Sequence, residues 1–372
     1  MIYLTIAMVL AALAYVMIRI WCILPCGTAW KVVAVALGVG IVMAMVLSFV
    51  FGLDKMPMPL ATVIYEITTS WIFILLYLLM IFLLMDILRL THVLPHDMMH
   101  NSLKGTLIVV GTVFAIFLYG NLHYYHKYRT TVDLSTEKHL YKKYKILMVS
   151  DMHIGYHNQR GTLAKWVDML NAENADLILI AGDIIDISPR PVNEQQMYEE
   201  FRRLNAPVYG CLGNHEFISG IGEAREFYRK AGITLLVDSC ATVGNDLLIA
   251  GRDDRTNPNR KSIAQILENQ DSGRYTILLD HQPYNLEQAE EAGVDLQLSG
   301  HTHYGQVFPI NLITDAIYEK AYGQHRRGKT DYYISSGLGI WGGKFRIGTK
   351  SEYAVVEIVE NGKLKVEKGQ LK

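Results

Sequence analysis

The chain has 372 residues, 51% of them hydrophobic and 19% charged, and its 35 Lys+Arg nearly cancel its 36 Asp+Glu. That balance excludes a disordered tail and a nucleic-acid binder built on cationic excess. Residues 1–126 hold only nine charged side chains, so the chain reads as a membrane block followed by a water-soluble domain. The four cysteines (Cys22, Cys26, Cys211, Cys240) form neither a disulfide framework nor a paired zinc site.

A bilayer span needs about 20 mainly apolar residues. Residues 2–24, 32–53, 60–90 and 106–122 meet or approach this, which predicts four transmembrane helices within a block of residues 1–122. No basic residue precedes the first apolar run, so it is expected to be a retained span and not a cleaved leader. Glu66, Asp86 and Arg89 are ionisable groups inside a span, a default mark of a transport path. They lie towards the ends of an over-long stretch, where Asp86 and Arg89, one turn apart, are expected to pair or snorkel.

An even number of spans puts both ends of the block on one side. That side carries Lys55, Lys127, Arg129, Lys138 and Lys142 against Arg19, Lys31, Arg89 and Lys104 on the other. The protein is therefore expected in the cell membrane, multi-pass, with its soluble domain facing the cytoplasm. Residues 123–144, rich in Tyr, His and Lys, read as a juxtamembrane connector that keeps residues 145–372 near the bilayer.

Within 145–372, short apolar runs at 145–150, 176–181, 207–212, 275–279, 295–299 and 332–335 read as buried strands. Leu163, Trp166, Val167 and Leu170 fall at helical spacing between the first two, and Met197, Phe201 and Leu204 repeat it later. The pattern is α/β. Five runs end in polar clusters: Asp151-x-His153, Gly182-Asp183 with Asp186, Gly213-Asn214-His215-Glu216, Asp280-His281, and Gly300-His301-x-His303. Strand carboxyl ends of open α/β sheets share a rim where ligands bind, so the clusters are expected to meet. Asp oxygens and neutral imidazoles without thiolates suit Mn, Fe or Zn. Singly, a cap or a turn explains each cluster; the same position after five strands points to a site. Asp186 and Glu216 are expected to cap helices or to support the ligands.

In order, these clusters resemble the five motifs of the calcineurin-like metallophosphoesterases over about residues 145–360. Gly-Asp-Ile-Ile-Asp at 182–186, Gln306 and Gly337-Leu338-Gly339 are similar to a membrane-associated bacterial subgroup. The resemblance implies a four-layer α/β fold, two packed β-sheets flanked by helices, with two divalent metals at the rim. Asp151, His153 and His303 would hold one metal, and Asn214, His281 and His301 the other. Asp183 would bridge them, and His215 would be the proton donor or transition-state stabiliser. Such a site hydrolyses phosphate esters or pyrophosphates by metal-bridged hydroxide attack. Some members of that family cleave the pyrophosphate of UDP-2,3-diacylglucosamine, which makes a lipid-linked phosphate the expected substrate and the lipid bilayer the expected partner, with no nucleic acid.

Two features depart from the subgroup. Tyr304 replaces the Gly usual after the histidine pair, and Trp341-Gly-Gly-Lys344-Phe-Arg346 replaces a proline-rich turn. Tyr304, Arg160, Lys344 and Arg346 are candidate substrate contacts; solvent exposure is the ordinary alternative for the basic ones. A non-catalytic membrane scaffold or metal sensor keeping the fold is the competing function, and lost ligands would be its signature.

Overall fold

A computed structural model describes residues 2–361; residues 362–372, the tail of the expected soluble domain, lie outside the described residues. The chain divides into two units, one of Met1–Leu122 with Gly342–Phe345 and one of His123–Trp341 with Arg346–Lys372.

The first unit is built on α1 (Ile2–Ile23), α2 (Thr28–Phe51), α3 (Met58–Leu90) and α4 (Leu103–Tyr125), each long and apolar enough to cross a membrane. At about 1.5 Å per residue α3 is about 50 Å long, more than the roughly 30 Å hydrocarbon core requires. Its charges are not left alone. Asp86 pairs with Arg19 and accepts a hydrogen bond from Tyr15 Oη, while Arg89 stays 3.9 Å away. The expected Asp86/Arg89 pair is thus secondary, because α1 packs against α3 through Val16 and Phe82 and brings a better-placed cation. Gly342–Phe345 belong with these helices although they lie over 200 residues on. Phe345 meets Phe117 edge-on at 4.7 Å and Phe73 at 6.5 Å, and Lys344 Nζ reaches Glu66 at 2.8 Å.

Among the described residues the second unit has twelve strands: β1 (Lys127–Thr136), β2 (Tyr144–Val149), β3 (Leu177–Ala181), β4 (Val208–Cys211), β5 (Thr234–Leu235), β6 (Ser239–Val243), β7 (Leu247–Gly251), β8 (Tyr275–Leu279), β9 (Leu296–Ser299), β10 (Gly323–Arg327), β11 (Thr330–Ile334) and β12 (Ser351–Glu360). Its helices are α5 (Arg160–Asn171), α6 (Arg190–Glu194), α7 (Tyr198–Phe201), α8 (Asn214–Ser219), α9 (Ile221–Ala231), α10 (Ile263–Leu267), α11 (Glu287–Glu291) and α12 (Ile310–Ile317). The strands make two six-stranded sheets, in orders β1-β12-β2-β3-β4-β5 and β10-β11-β9-β8-β7-β6. β2, β3 and β4 run parallel in one sheet, and β8 and β9 in the other.

Alternation along β2 explains the layering. Ile146 and Met148 enter the core between the sheets with Leu179, Ile249, Ile277 and Leu298, while Leu147 and Val149 face outward onto Trp166, Val167 and Phe227 of α5 and α9. A third cluster packs Leu278 and Ile334 under Ile263, Leu286 and Ala289. The result is helix, sheet, sheet, helix. Residues 127–136 correct the expected connector: they form β1, paired in parallel with β12 from Lys127↔Ser351 to Thr136↔Glu360. The aromatic and β-branched residues of the Tyr-Arg-Thr-Thr-Val run suit an edge strand that buries only Val132 and Thr136 fully.

Candidate metal centre

Each site loop starts where a strand stops. Asp151 and His153 follow β2, Asp183 follows β3, Asn214 opens α8 after β4, His281 follows β8, and His301 and His303 follow β9. The chain must turn sharply at these points to aim side chains across the rim. Asp151, His153, Asp183, His301 and His303 accordingly have φ of 53°, 44°, 54°, 68° and 47°, in the left-handed region. Such backbone costs a non-glycine residue of order 1–3 kcal/mol and collects at functional sites. Close approach also requires glycine: a Cβ on Gly213 would lie 2.1 Å from Asp183 Oδ1, and one on Gly300 would lie 2.2 Å from Asp151 Oδ2.

Two donor groups result. In the first, His153 Nε2 and His303 Nε2 are 3.0 Å apart, with Asp151 Oδ1 3.4 Å from His303 Nε2. In the second, His281, His301 and Asp183 gather their ligand atoms, and His301 Nδ1 is 2.8 Å from Asn214 Oδ1. Asp183 lies between the groups, its Oδ2 3.1 Å from His281 Nε2 and 3.7 Å from His153 Nε2.

The donor set fits divalent cations. His281 donates through Nδ1 to the Ala181 carbonyl at 2.7 Å. In the neutral ring its Nε2 is then a lone pair, buried without a hydrogen bond and aimed at a carboxylate oxygen. Two acceptors at that distance repel unless positive charge stands between them. Without a metal, protons take that place. Burial opposes charge on His153, but Asp151, Asp186 and Asp183 outweigh it and push the imidazole up to about 10. His301, buried beside cationic His281, is pushed down to about 4. Burial also opposes the Asp183 charge, yet His281 and His215 hold the carboxyl well below its usual range.

Carboxylates behind this layer fix its geometry. Asp186 Oδ1 lies 3.3 Å from both His153 Nδ1 and His215 Nδ1, orienting both rings. Glu216 accepts backbone N–H bonds from Gly213, Asp183, Ile184 and Ile185 at 2.7–3.1 Å, joining the loops after β3 and β4. Burial and the Asp183 charge push its carboxyl up to about 7. Ser150 Oγ donates to Asp151, and Asn158 donates to the carbonyls of Met152 and His153 while accepting from Tyr124 Oη at 2.6 Å. Arg252 and Arg260 flank Asp280 at 3.2 and 3.1 Å. Sequence reading missed Ser150, Asn158 and this arginine pair; the charged run at 252–255 hinted at Arg252 but not at Arg260.

The basic residues offered as substrate contacts are otherwise engaged. Arg346 is fully buried and donates to the carbonyls of His303, Ser336 and Gly339 and to Ser351 Oγ. It braces the site loops, because at least four of the five guanidinium donors are spent on these neighbours. Arg160 pairs with Glu200 at 2.7 Å and donates to the Gln195 carbonyl. Lys344 lies in the helical unit on Glu66. Tyr304 stays on the site loop beside His303, stacked on Tyr322 at 4.9 Å with its hydroxyl on Asp315 at 3.2 Å.

Comparison with known proteins agrees with this arrangement. The family profile described as calcineurin-like phosphoesterase matches residues 144–305. An uncharacterized metallophosphoesterase of Helicobacter pylori is 31% identical over 59% of this chain and 60% of its own length, so the chain spans less than two thirds of that relative. An uncharacterized metallophosphoesterase of Aquifex aeolicus is 31% identical over 59% of this chain and 86% of its own. A protein of Danio rerio, named as a transmembrane protein with metallophosphoesterase domain, is 29% identical over 56% of this chain and 51% of its own.

Proposed function

The chain belongs to the calcineurin-like metallophosphoesterases, and from that premise we propose that it is a membrane-anchored hydrolase of phosphate ester or pyrophosphate bonds, with a lipid-linked phosphate as substrate. The reading is supported above all by Asp183, whose Oδ2 stands 3.1 Å from a nitrogen of one donor group and 3.7 Å from a nitrogen of the other. One metal would be held by Asp151, His153 and His303, the other by Asn214, His281 and His301, with Asp183 shared. When bound, such a pair supplies hydroxide near neutral pH and neutralises phosphoryl oxygens.

The remaining work falls to the chain. Asp186 Oδ1 stands 3.3 Å from His215 Nδ1, on the ring edge away from Nε2, which is the atom that would carry a proton to the leaving oxygen. Because Asp186 also meets His153, the acid and one metal ligand keep a fixed spacing. Gly213 and Gly300 let Asp183 and Asp151 approach without displacement. The four candidate spans support a substrate carried by the bilayer, of which a UDP-2,3-diacylglucosamine-type pyrophosphate is the named example, and we place the site on the cytoplasmic face.

The test is turnover by purified full-length protein with Mn²⁺, comparing lipid phosphates and pyrophosphates in bilayers with soluble phosphodiesters. Preference for the bilayer set is expected, and equal turnover of both sets removes the lipid-linked reading. Asp183→Asn should lower metal occupancy below two and turnover by about 10³-fold or more. A variant retaining two metals contradicts the bridging role.

A further inference from the structure

Among the described residues of the second unit, seven large apolar side chains are markedly exposed, and four of them fall between residues 308 and 317. Phe308 is 44% exposed, Leu312 and Ile313 56% each and Ile317 58%. On α12, Leu312, Ile313, Ala316 and Ile317 recur at i, i+1, i+4 and i+5 and are all exposed, so they form one apolar face. No residue of the helix is buried. Its single charge, Asp315, accepts a hydrogen bond from Tyr304 Oη, and no Lys or Arg lies between residues 308 and 317.

The helix is fixed to the candidate metal loop at its start. A Cβ on Gly305 would lie 2.3 Å from Asn311 N, so α12 presses directly on the turn that carries His301 and His303. Val307 bridges Ile347, and Phe308 N–H donates to the Ile347 carbonyl at 2.7 Å. Ile347 is two residues along the chain from Phe345, which packs among the helices of the first unit.

We propose that α12 is an interfacial helix that inserts Leu312, Ile313 and Ile317, with Phe308 beside them, into the headgroup and upper acyl region of the bilayer that carries the four spans. An amphipathic helix of this kind buries its apolar face about 5–10 Å below the surface. Lacking basic residues, it binds by apolar burial and not by attraction to anionic lipid, so a zwitterionic bilayer suffices. Its consequence for activity, delivery of a lipid-linked phosphate beside His301 and His303, rests on the phosphoesterase reading above. The membrane contact does not.

The test uses the full chain, with Cys22, Cys26 and Cys240 changed to Ala, reconstituted in phosphatidylcholine and carrying a nitroxide at Ile313→Cys. Collision with oxygen should exceed collision with a water-soluble nickel chelate by about threefold or more, with the reverse for a nitroxide at Lys329→Cys. An Ile313 label that behaves like the Lys329 label overturns the proposal. Spin–spin broadening relieved by diluting with unlabelled chain overturns it in favour of a second copy. Protection appearing only with lipid substrate overturns it in favour of an acyl-chain seat. None of these readouts requires turnover, so they stand apart from failure of the phosphoesterase reading. In a second measurement, the double variant Leu312→Glu/Ile313→Glu should lose about tenfold on a bilayer-embedded lipid phosphate and keep soluble aryl phosphate turnover within about twofold. Equal loss on both substrates, or on neither, overturns the delivery role.

Discussion

The helical unit and the phosphoesterase unit both bury charge, but for opposite ends. Among the helices, Asp86 is matched to Arg19 and Glu66 to Lys344, and such matched pairs can rest in an apolar setting. At the strand ends of the other unit, Asp151, Asp183, Asp186 and Glu216 are all buried within one small volume, with histidines and backbone N–H groups around them. Their compensation comes from imidazoles and backbone N–H groups, which leaves the ensemble short of positive charge unless cations or protons enter. A neutralised charge is structural; an incompletely neutralised cluster waits for something to bind.

That contrast is open to direct attack. The largest effect is expected from His215→Ala, which removes the proton at the leaving oxygen without touching a proposed ligand: turnover should fall by about 10²–10⁴-fold while metal analysis still finds both ions. Activity within about threefold of the parent on an aryl phosphate would end that role. Next comes Glu216→Gln, which replaces an acceptor of four N–H groups by an amide with one oxygen. Denaturant unfolding of the solubilised protein should show a loss of about 3 kcal/mol, together with weaker metal binding, because the loops carrying Asp183 and Asn214 lose their tie. The smallest effect is expected from Glu66→Gln. Its partnership with Lys344 involves a glutamate side chain 41% exposed, so thermal stability should change by no more than about 1 kcal/mol and turnover not at all. A large loss of turnover there would put Glu66 in a transport or coupling role and collapse the distinction between the units.

Much of the second unit was legible from the chain because its signals are local. Unbroken apolar runs ending in polar clusters located β2, β3, β4, β8, β9 and β11, and the clusters after the first five carry every proposed ligand. β1 was not legible, since a half-exposed edge strand flanked by Tyr, His and Lys looks like a connector until β12, more than 200 residues on, pairs with it. The bracing by Arg346 was hidden for a related reason: its acceptors are carbonyls, which all residues possess, so nothing in the sequence marks a guanidinium that braces loops. The left-handed backbone at Asp151, His153, Asp183, His301 and His303 was equally hidden, because only strand pairing on both sides of a turn forces a non-glycine residue there.

The seating of Gly342–Phe345 among the helices has a consequence for how this polypeptide is made and divided. A fragment beginning at His123 would contain every candidate metal ligand, yet the Phe345 ring would have lost Phe73 and Phe117, and Lys344 its glutamate. During synthesis the spans emerge first and wait through more than 200 residues for this short segment to arrive. In such a fragment the Phe345 ring, seated beside Phe73 and Phe117 in the full chain, would be left as an exposed apolar group, and a polar residue in its place should improve solubility.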